Sequence, residues 1–297
     1  MVAGAFVGVD WGTTNARFTL ADAAGAVLAD KVGAGIASLD GPAAIEAACF
    51  AAIGDWPRVP LVIAGMAGSD IGWRPAPYVP APATAAAVHA EAVRFAARGI
   101  SIAMLPGVKA IRADGFADVM RGEETQIFGS MSGDTGLVCL PGTHSKWAQV
   151  NGGQITCFHT AMSGELMDVV GRGTILLNPK RAPVAWPGLH FLEGVTAINR
   201  SILGLETMLF TVRSRQIAGT LAAEAADDYL AGLCIGSDIR SALAFHPNAR
   251  SVTLVGAPPL TALYAAALAS LGIMSRQVDG KFAALAGLTS AYQALFA

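Results

Sequence analysis

The sequence has few charged residues and shows none of the patterns that mark nucleic-acid-binding, disulfide-rich or zinc-binding proteins. Only 14% of its 297 residues are charged, and the formal net charge of −2 comes without a basic run, which argues against a nucleic-acid partner. Its four cysteines form no CxxC pair and follow no zinc-ligand spacing. They are typical of buried thiols in a reducing compartment, so we expect no disulfide framework.

We expect neither a signal peptide nor a membrane span. Nine residues precede Asp10 and already have the apolar pattern of a strand, which leaves no room for a leader. The uncharged stretch 251–275 contains Pro258 and Pro259, and a short strand followed by a helix from about Leu260 explains it better than a span. The expected location is the cytoplasm.

Apolar residues, by contrast, are abundant enough for two domain cores. They make up 53% of the chain, and this length allows one large domain or two of roughly 130–160 residues. Each half opens with three short predicted strands: Phe6–Asp10, Ala16–Ala21 and Val27–Val32 in the first, and Leu137–Leu140, Trp147–Val150 and Ile155–Thr160 in the second. Strands then alternate with helices, which indicates an α/β fold in both halves. We place the domains at 1–133 and 134–297.

Composition and stop signals predict several helices. The Ala-rich segment Ala83–Ala97 is predicted to be a helix that Gly99 ends, and Asp114–Phe128 a helix or a turn followed by a helix. Helices are also expected throughout Gly164–Phe245 and near Lys281–Phe296. The second of these is expected to cross back onto the first domain.

A strand that ends in a polar, glycine-containing turn occurs twice. The first copy ends at Asp10 and continues through Gly12-Thr13-Thr14-Asn15; the second ends at Leu140 and continues through Gly142-Thr143-His144-Ser145-Lys146. A shift of 130 positions (142 − 12) places Gly12-Thr13 on Gly142-Thr143. Two such loops predict a duplicated fold whose halves face one phosphate chain from opposite sides.

A polyphosphate needs backbone N–H donors, hydroxyls and a metal held by a carboxylate, and the first loop carries all of these groups. Asp10 is the candidate ligand of a hydrated Mg²⁺ ion, and Lys146 adds a cation near the transferring phosphate. The candidate phosphate contacts are Gly12, Thr13, Thr14, Asn15, Gly142, Thr143, His144, Ser145 and Lys146. The alternative for each loop is a simple hairpin with polar turn residues.

A dense polar cluster at 118–126 offers a general base. Arg121 is followed by Gly122 and by two carboxylates, Glu123 and Glu124, at a predicted helix start. This order can place a proton acceptor beside a cation that binds an anionic substrate. Ordinary capping of the helix by acidic residues is the alternative.

Two further glycine-containing loops are candidates for ligand contacts. The loop 65–73, with Gly68, Ser69 and Trp73, follows a strand and is interpreted as a wall of the substrate pocket or as a plain surface connection. Gly256-Ala257, between a late strand and its helix, is the candidate for approach of an adenine base.

With these pieces placed, the chain resembles the 2-dehydro-3-deoxygalactonokinase family, sugar-acid kinases of the actin-like ATPase superfamily. The matching stretches are VDWGTTNAR (9–17), GMAGSDIGW (65–73), DVMRGEETQ (118–126), LPGTHSKW (140–147) and AMSGEL (161–166), with LVGAPPLTALYAAAL (254–268) and AALAGL (283–288) beyond them. The double-glycine adenosine motif usual in the superfamily is reduced here to Gly256-Ala257.

The resemblance implies two duplicated RNase H-like domains around a central cleft. It further implies transfer of the ATP γ-phosphate, with Mg²⁺, to the 6-hydroxyl of 2-dehydro-3-deoxy-D-galactonate in galactonate catabolism. The superfamily places a carboxylate base near a helix start in the first domain, and Gly122–Thr125 also resembles the catalytic segment of exopolyphosphatases. We rank Glu123 first as this base, Asp118 second and Glu124 third; an exposed glutamate is ionised at neutral pH.

Some assignments stay open at this point. The acceptor carboxylate needs a cation, and the candidates are Arg121, Lys146 and Arg17. A phosphohydrolase of the exopolyphosphatase type, an actin-like assembly protein and a kinase for another sugar acid are the rival functions. The sequence is silent on the sugar-acid stereoisomer and on the oligomeric state, for which a homodimer is the candidate to test.

Overall fold

The computed structural model describes residues 4–131, 133–177 and 188–297. The chain divides into two compact units. The first comprises Met1–Thr135, Ala148–His159 and Asp279–Ala297, and the second comprises Gly136–Trp147 and Thr160–Val278. The first unit is therefore built from three separate stretches of sequence, and most of the second lies between two of them.

Short strands dominate the first 130 residues. In chain order the elements are β1 (Phe6–Trp11), β2 (Asn15–Ala21), β3 (Val27–Ala34), α1 (Gly41–Ala52), β4 (Leu61–Gly65), β5 (Tyr78–Pro80), α2 (Ala85–Ala90), β6 (Val93–Ala97), β7 (Ile100–Met104), β8 (Gly107–Ile111), β9 (Ala117–Met120) and α3 (Glu123–Ser130).

Helices dominate the remainder. The elements are β10 (Gly136–Leu140), β11 (Ser145–Asn151), β12 (Gln154–Ala161), α4 (Ser163–Gly173), α5 (Leu189–Arg200), α6 (Leu205–Ile217), α7 (Ala226–Phe245), β13 (Ser251–Gly256), α8 (Pro258–Ser270), β14 (Met274–Asp279) and α9 (Gly280–Phe296). Within the described residues, no helix is both long and apolar enough to cross a membrane. The predicted strand and helix within 251–275 are confirmed as β13 and α8.

Two sheets repeat one strand order, which confirms the predicted duplication and the α/β class. The first runs β3-β2-β1-β4-β7-β6 and the second β12-β11-β10-β13-β14, while β5, β8 and β9 form a small third sheet. In the first sheet β1 pairs antiparallel with β2 and parallel with β4. In the second, β10 pairs parallel with β13 in the equivalent place. Each phosphate-loop candidate therefore connects the central strand of its sheet to the next strand.

The prediction of one helix over Ala83–Ala97 is wrong in its second half. The helix ends at Ala90, and Val93–Ala97 is strand β6, paired antiparallel with β7 from Val93↔Met104 to Ala97↔Ile100. Arg98 and Gly99 both adopt positive φ, 47° and 73°, the geometry of a tight hairpin turn. Gly99 therefore lies in the hairpin turn between β6 and β7, whereas the sequence had predicted that it ends a helix.

The segment Asp114–Phe128 also differs from a single helix. Ala117–Met120 forms β9 against β8, and helix α3 starts only at Glu123. Of the predicted turn followed by a helix, the helix is therefore confirmed, and a strand occupies part of the segment before it. Strands β5, β8 and β14 were not predicted. The helical prediction for Gly164–Phe245 is confirmed by α4 to α7, apart from residues 178–187, which lie outside the described residues.

Helix α9 packs on strands and helices of the first half, as predicted. Phe6 on β1 stacks on Tyr292 with ring centroids 4.5 Å apart, and both belong to a buried apolar cluster with Leu288. Helices α3 and α9 cross at glycines: a Cβ on Gly129 would lie 2.0 Å from Ala283 O, and one on Gly287 would lie 2.1 Å from the Thr125 carbonyl oxygen. The close crossing holds the first turn of α3 against the backbone of α9.

Candidate active site

The turn between β1 and β2 is held in place by backbone hydrogen bonds. Gly12 N–H donates to Asn15 O across the turn at 2.9 Å. The N–H groups of residues 35–37 then donate to the carbonyl oxygens of Thr14, Gly12 and Thr13, at 3.1, 3.2 and 3.0 Å. The carbonyl oxygens of the turn are thus occupied by the protein, and its side chains are left to face outwards.

The polar side chains of this turn are available to a ligand. Thr13, Thr14 and Asn15 are exposed, and none of the three side chains has a hydrogen-bond partner within residues 4–131, 133–177 and 188–297. Asp10, at the end of β1, has a side chain only 16% exposed, 3.5 Å from Arg17 Nη1. Burial raises the pKa of Asp10, and the neighbouring Arg17 opposes that rise. The turn and the strand before it therefore carry one carboxylate and three exposed polar side chains.

The acidic segment lies beside this turn. Gly65 ends β4 with φ of 94°, and a Cβ there would lie 2.5 Å from Trp11 O at the end of β1. Gly122 precedes α3 with φ of 105°, and its Cβ would lie 3.1 Å from Gly65 Cα. Backbone this close accepts only glycine, so Gly122 places the start of α3 against the end of β4, and Gly65 places the end of β4 against the end of β1.

The two glutamates at the start of α3 have different environments. Glu123 is half-buried, and its Oε2 accepts the Arg121 N–H at 2.9 Å. Glu124 is fully buried, and its two oxygens accept the Gly122 N–H at 2.9 and 2.8 Å and the Thr125 hydroxyl at 3.1 Å. Burial, and then the charge of Glu123, raise the pKa of Glu124 to about 8. At neutral pH Glu124 is therefore mostly protonated.

Asp118 belongs to a different local environment from the glutamates. It lies on β9, where its Oδ1 accepts the Val119 N–H at 2.8 Å. Its Oδ2 is 4.0 Å from Arg112 Nη1, in the turn that joins β8 to β9. Asp118 is therefore ion-paired inside the small three-stranded sheet.

Arg121 holds the glycine-rich loop that follows β4. Its Nη2 donates to Ala76 O at 2.8 Å, and its guanidinium lies over the Tyr78 ring at 4.2 Å. A Cβ on Gly68 would lie 3.1 Å from Arg121 Nη1, a buried atom without a hydrogen-bond partner among the described residues. In the same loop the Ser69 hydroxyl donates to Met66 O at 2.7 Å. The cation therefore lies directly behind the loop backbone.

Trp73, the third predicted residue of this loop, lies in the hydrophobic core. It is 9% exposed, and its ring meets those of Phe50 and Phe95 edge to face, with centroids 6.1 and 5.4 Å away. Its packing anchors the end of the loop.

The second loop, Gly142 to Lys146, is backed by the start of α4. Glu165 N–H donates to Thr143 O at 2.9 Å, and a Cβ on Gly164 would lie 2.3 Å from Gly142 O. The His144 Nε2 lies 2.5 Å from Glu165 Oε2, within hydrogen-bonding distance, and both side chains are partly exposed. Thr143 and His144 are the exposed members of this loop.

Ser145 and Lys146, by contrast, point into the protein. The Ser145 hydroxyl is fully buried and lies 2.8 Å from both Ser163 Oγ and Tyr264 OH. Lys146 is 7% exposed, and its Nζ donates to the Thr160 hydroxyl at 2.7 Å. The side chains of these two residues therefore have partners within the protein, unlike those of the first loop.

The candidate adenosine loop lies next to the second phosphate loop. A Cβ on Gly256 would lie 3.5 Å from Pro141 O, and Ala257, exposed at the start of α8, accepts the N–H groups of Leu260 and Thr261 at 3.0 Å each. Sequence reasoning missed Asp238, which lies beneath this region. Its one signal was a carboxylate inside the apolar run of α7, an unusual place for a charge.

Comparison with known proteins agrees with these features. The family model described as 2-keto-3-deoxy-galactonokinase matches residues 10–291. A probable 2-dehydro-3-deoxygalactonokinase of Rhizobium meliloti (strain 1021) is 36% identical over 302 residues, covering 99% of this chain and 98% of the relative. The 2-dehydro-3-deoxygalactonokinase of Escherichia coli (strain K12) is 34% identical over 297 residues, covering 96% of each.

A solved structure agrees as well. A crystal structure assigned to 2-dehydro-3-deoxygalactonokinase from Sinorhizobium meliloti superposes with a TM-score of 0.90 at 35% identity, covering 98% of this chain and 99% of the other. The duplicated α/β fold is that of the actin-like ATPase and sugar kinase class. The chain belongs to the 2-keto-3-deoxy-galactonokinase family, a family of kinases.

Proposed function

We propose that the protein transfers the γ-phosphate of ATP to the 6-hydroxyl of 2-dehydro-3-deoxy-D-galactonate. The observation that carries the proposal is the packing of Gly122 against Gly65, which itself packs against Trp11 at the end of β1. It places a carboxylate base candidate beside a loop that offers a second carboxylate and free hydroxyls. The names of the two relatives, which match almost the whole chain, support this acceptor.

The first loop fits a magnesium ion held together with phosphate. Among the described residues there is no group of three or more His, Cys, Asp or Glu side chains that could enclose a metal. Mg²⁺ usually keeps several waters and needs one or two carboxylates together with phosphate oxygens, so Asp10 can serve as its protein ligand. The ion would neutralise charge that develops on the transferring phosphate, while Thr13 and Thr14 donate to phosphate oxygens.

Glu123 is the proposed general base. Glu124, its neighbour, is mostly protonated at neutral pH and has both oxygens occupied by Gly122 and Thr125. Glu123 is half-buried, and its Oε2 accepts the Arg121 N–H. A base must accept a proton from the acceptor hydroxyl at the working pH, and of these two neighbours Glu123 is the one suited to do so.

The acceptor carboxylate is proposed to bind at Gly68 and Ser69. The guanidinium of Arg121 lies behind that backbone with one unpaired nitrogen, so it supplies positive charge without blocking the site. Arg17, paired with Asp10, is the second candidate cation for the acceptor carboxylate in this unit. Arg121→Ala should raise the KM for the sugar acid far more than the KM for ATP, because the guanidinium contacts the 66–78 segment.

A phosphorylation screen of sugar acids with ATP and Mg²⁺ tests the proposal, with the phosphorylated carbon identified by NMR. The expected product is the 6-phosphate of 2-dehydro-3-deoxy-D-galactonate. Glu123→Gln should lower kcat by roughly 10²–10⁴-fold, the usual contribution of a general base, and leave ATP binding intact. Asp118→Asn is the matched control.

The outcomes separate the alternatives. ATP turnover that is independent of any sugar acid would identify a phosphohydrolase and refute the kinase assignment for this acceptor. Full activity of Glu123→Gln together with an inactive Asp118→Asn would transfer the base role to Asp118. The cytoplasmic location, supported by four free cysteines, and the homodimer stay predictions.

A further inference from the structure

A buried carboxylate on α7 collects hydrogen bonds from three other elements. Asp238 is 4% exposed. Its Oδ1 accepts the Trp147 Nε1–H at 2.9 Å, and its Oδ2 accepts the hydroxyls of Ser163 at 2.8 Å and Tyr264 at 2.6 Å. A buried carboxylate is costly unless donors satisfy it, and this one is satisfied by side chains from β11, α4 and α8.

One branch of this network leads to the phosphate loop. Ser163 is the first residue of α4, and the next two residues contact the loop through the Gly164–Gly142 approach and the bond from Glu165 N–H to Thr143 O. Ser145 joins the same network through its bonds to Ser163 and Tyr264. The loop is therefore held at both ends by groups that meet at Asp238.

The other branch leads to the adenosine loop. Tyr264 lies in α8, two turns after Ala257, and its hydroxyl bonds both Asp238 and Ser145. At the start of the same helix, Gly256 lies against Pro141, which precedes the phosphate loop. Asp238 thus ties the two candidate nucleotide loops to one point in the core.

We propose that Asp238 is a positioning residue for the nucleotide: through Ser163, Ser145 and Tyr264 it fixes the phosphate loop relative to the adenosine loop. This inference rests on the proposed kinase function. It identifies Asp238 as the residue that supports the two candidate nucleotide loops. Preorganised loops bind a ligand tightly because little conformational entropy is lost in ordering them when the ligand binds. Weakening the network should therefore weaken nucleotide binding and leave acceptor binding, which depends on the first unit, unaffected.

Asp238→Asn and Tyr264→Phe test the proposal in the full chain. Asn keeps the shape, but one oxygen acceptor becomes an NH₂ donor facing the hydroxyls. We expect its Kd for a non-hydrolysable ATP analogue, measured by titration calorimetry, to rise by roughly 10-fold, the scale of a lost bond to a charged group. Tyr264→Phe, which deletes only the hydroxyl, should raise this Kd by a smaller factor.

Asp228→Asn is the matched control. Asp228 lies on the same helix, is 2% exposed, and accepts the N–H groups of Gly188 and Phe191 at the start of α5. This variant should lower the thermal unfolding temperature as Asp238→Asn does, with an unchanged Kd for the analogue. A purely structural role of Asp238 predicts the same result for both carboxylates.

Three results would overturn the inference. The first is an unchanged Kd in Asp238→Asn and Tyr264→Phe. The second is an equal rise in the KM values for ATP and for the sugar acid, and the third is a loss of affinity in Asp228→Asn as well. If Asp238→Asn does not fold, the Kd of Tyr264→Phe for the ATP analogue tests the inference. A wild-type protein that binds no ATP analogue refutes the proposed function itself, whereas wild-type binding with unaffected variants refutes only the role of Asp238.

Discussion

The two strand-turn-strand loops have the same place in their sheets and different chemistry. In the first, β1 carries the half-buried carboxylate of Asp10. At the equivalent place in the second, 130 positions later, β10 ends in the buried Leu140. The second loop contributes His144 and Lys146 in its turn, where the first has Thr14 and Ala16. The two loops follow the same backbone course but differ in charge: the carboxylate proposed as the metal ligand, Asp10, lies in the first loop, and Leu140 takes its place in the second.

The loops also differ in what stands behind them. Backbone N–H groups of residues 35–37 hold the first, whereas side chains that converge on Asp238 hold the second. A loop held by backbone bonds tolerates side-chain substitution. A loop held by a buried polar network is sensitive to the loss of any one member, because the others are left unsatisfied.

The largest expected effect is that of Asp10→Asn, which removes the charge present only in the first loop. Turnover should fall by roughly 10²-fold or more, because charge neutralisation at the transferring phosphate is lost. Circular dichroism and thermal unfolding should match the wild type. Asp55→Asn, at an exposed ion pair with Lys31, is the control and should keep its activity. Normal turnover in Asp10→Asn would show that Asp10 does not hold the metal. The proposed chemical difference between the two loops would then be wrong.

An intermediate effect is expected from adding a methyl group behind each loop. A Cβ on Gly35 would lie 2.2 Å from the Thr14 carbonyl carbon, and one on Gly164 would lie 2.3 Å from Gly142 O. Both variants should lose about 1–3 kcal/mol of unfolding free energy through forced backbone shifts, measured by urea unfolding. Gly164→Ala should in addition weaken binding of the ATP analogue.

Gly173→Ala, in the same helix as Gly164, is the control. A Cβ there meets no atom within 4 Å, so this variant should be as stable as the wild type or slightly more stable. If Gly164→Ala behaves like Gly173→Ala, then α4 does not support the second loop in the way described.

The smallest effect concerns the pH dependence of stability set by Glu124. Its pKa of about 8 in the folded protein lies above the unfolded value near 4.5. The folded state therefore holds the proton more tightly, and the stability from this group, complete below about pH 4.5, is lost as pH rises towards 8. The slope is at most about 1.4 kcal/mol per pH unit.

Urea unfolding at pH 6 and pH 8 measures this effect. Glu124→Gln cannot titrate, and the amide oxygen still accepts from Gly122 and Thr125, so its loss of stability between the two pH values should be smaller than that of the wild type. Burial also raises the pKa of Asp238, and its side-chain hydrogen bonds oppose that rise. Equal slopes for the wild type and Glu124→Gln would show that Glu124 is ionised in the folded protein at pH 6.

Local patterns predicted much of the fold, and distant contacts explain what they missed. The turns at Gly12 and Gly142 were predictable because each follows an apolar strand directly. Ser145 and Thr143 look alike in sequence, yet the Ser145 hydroxyl turns inward to Ser163 and Tyr264, 18 and 119 residues away. Strand β6 was missed because Val93–Ala97 continues an Ala-rich helix and is a strand only through its pairing with β7.

Helix α9 gives the protein a particular order of folding during synthesis. Residues 280–296, which follow the second unit in the chain, pack on Phe6 and on the glycine face of α3. At usual rates of translation, on the order of 10 s separates the synthesis of α3 from that of α9. During that interval the start of α3 lacks its contacts with α9, and the surface around Phe6 is open to chaperones. The first unit is therefore expected to complete its packing only after the second unit has been synthesised.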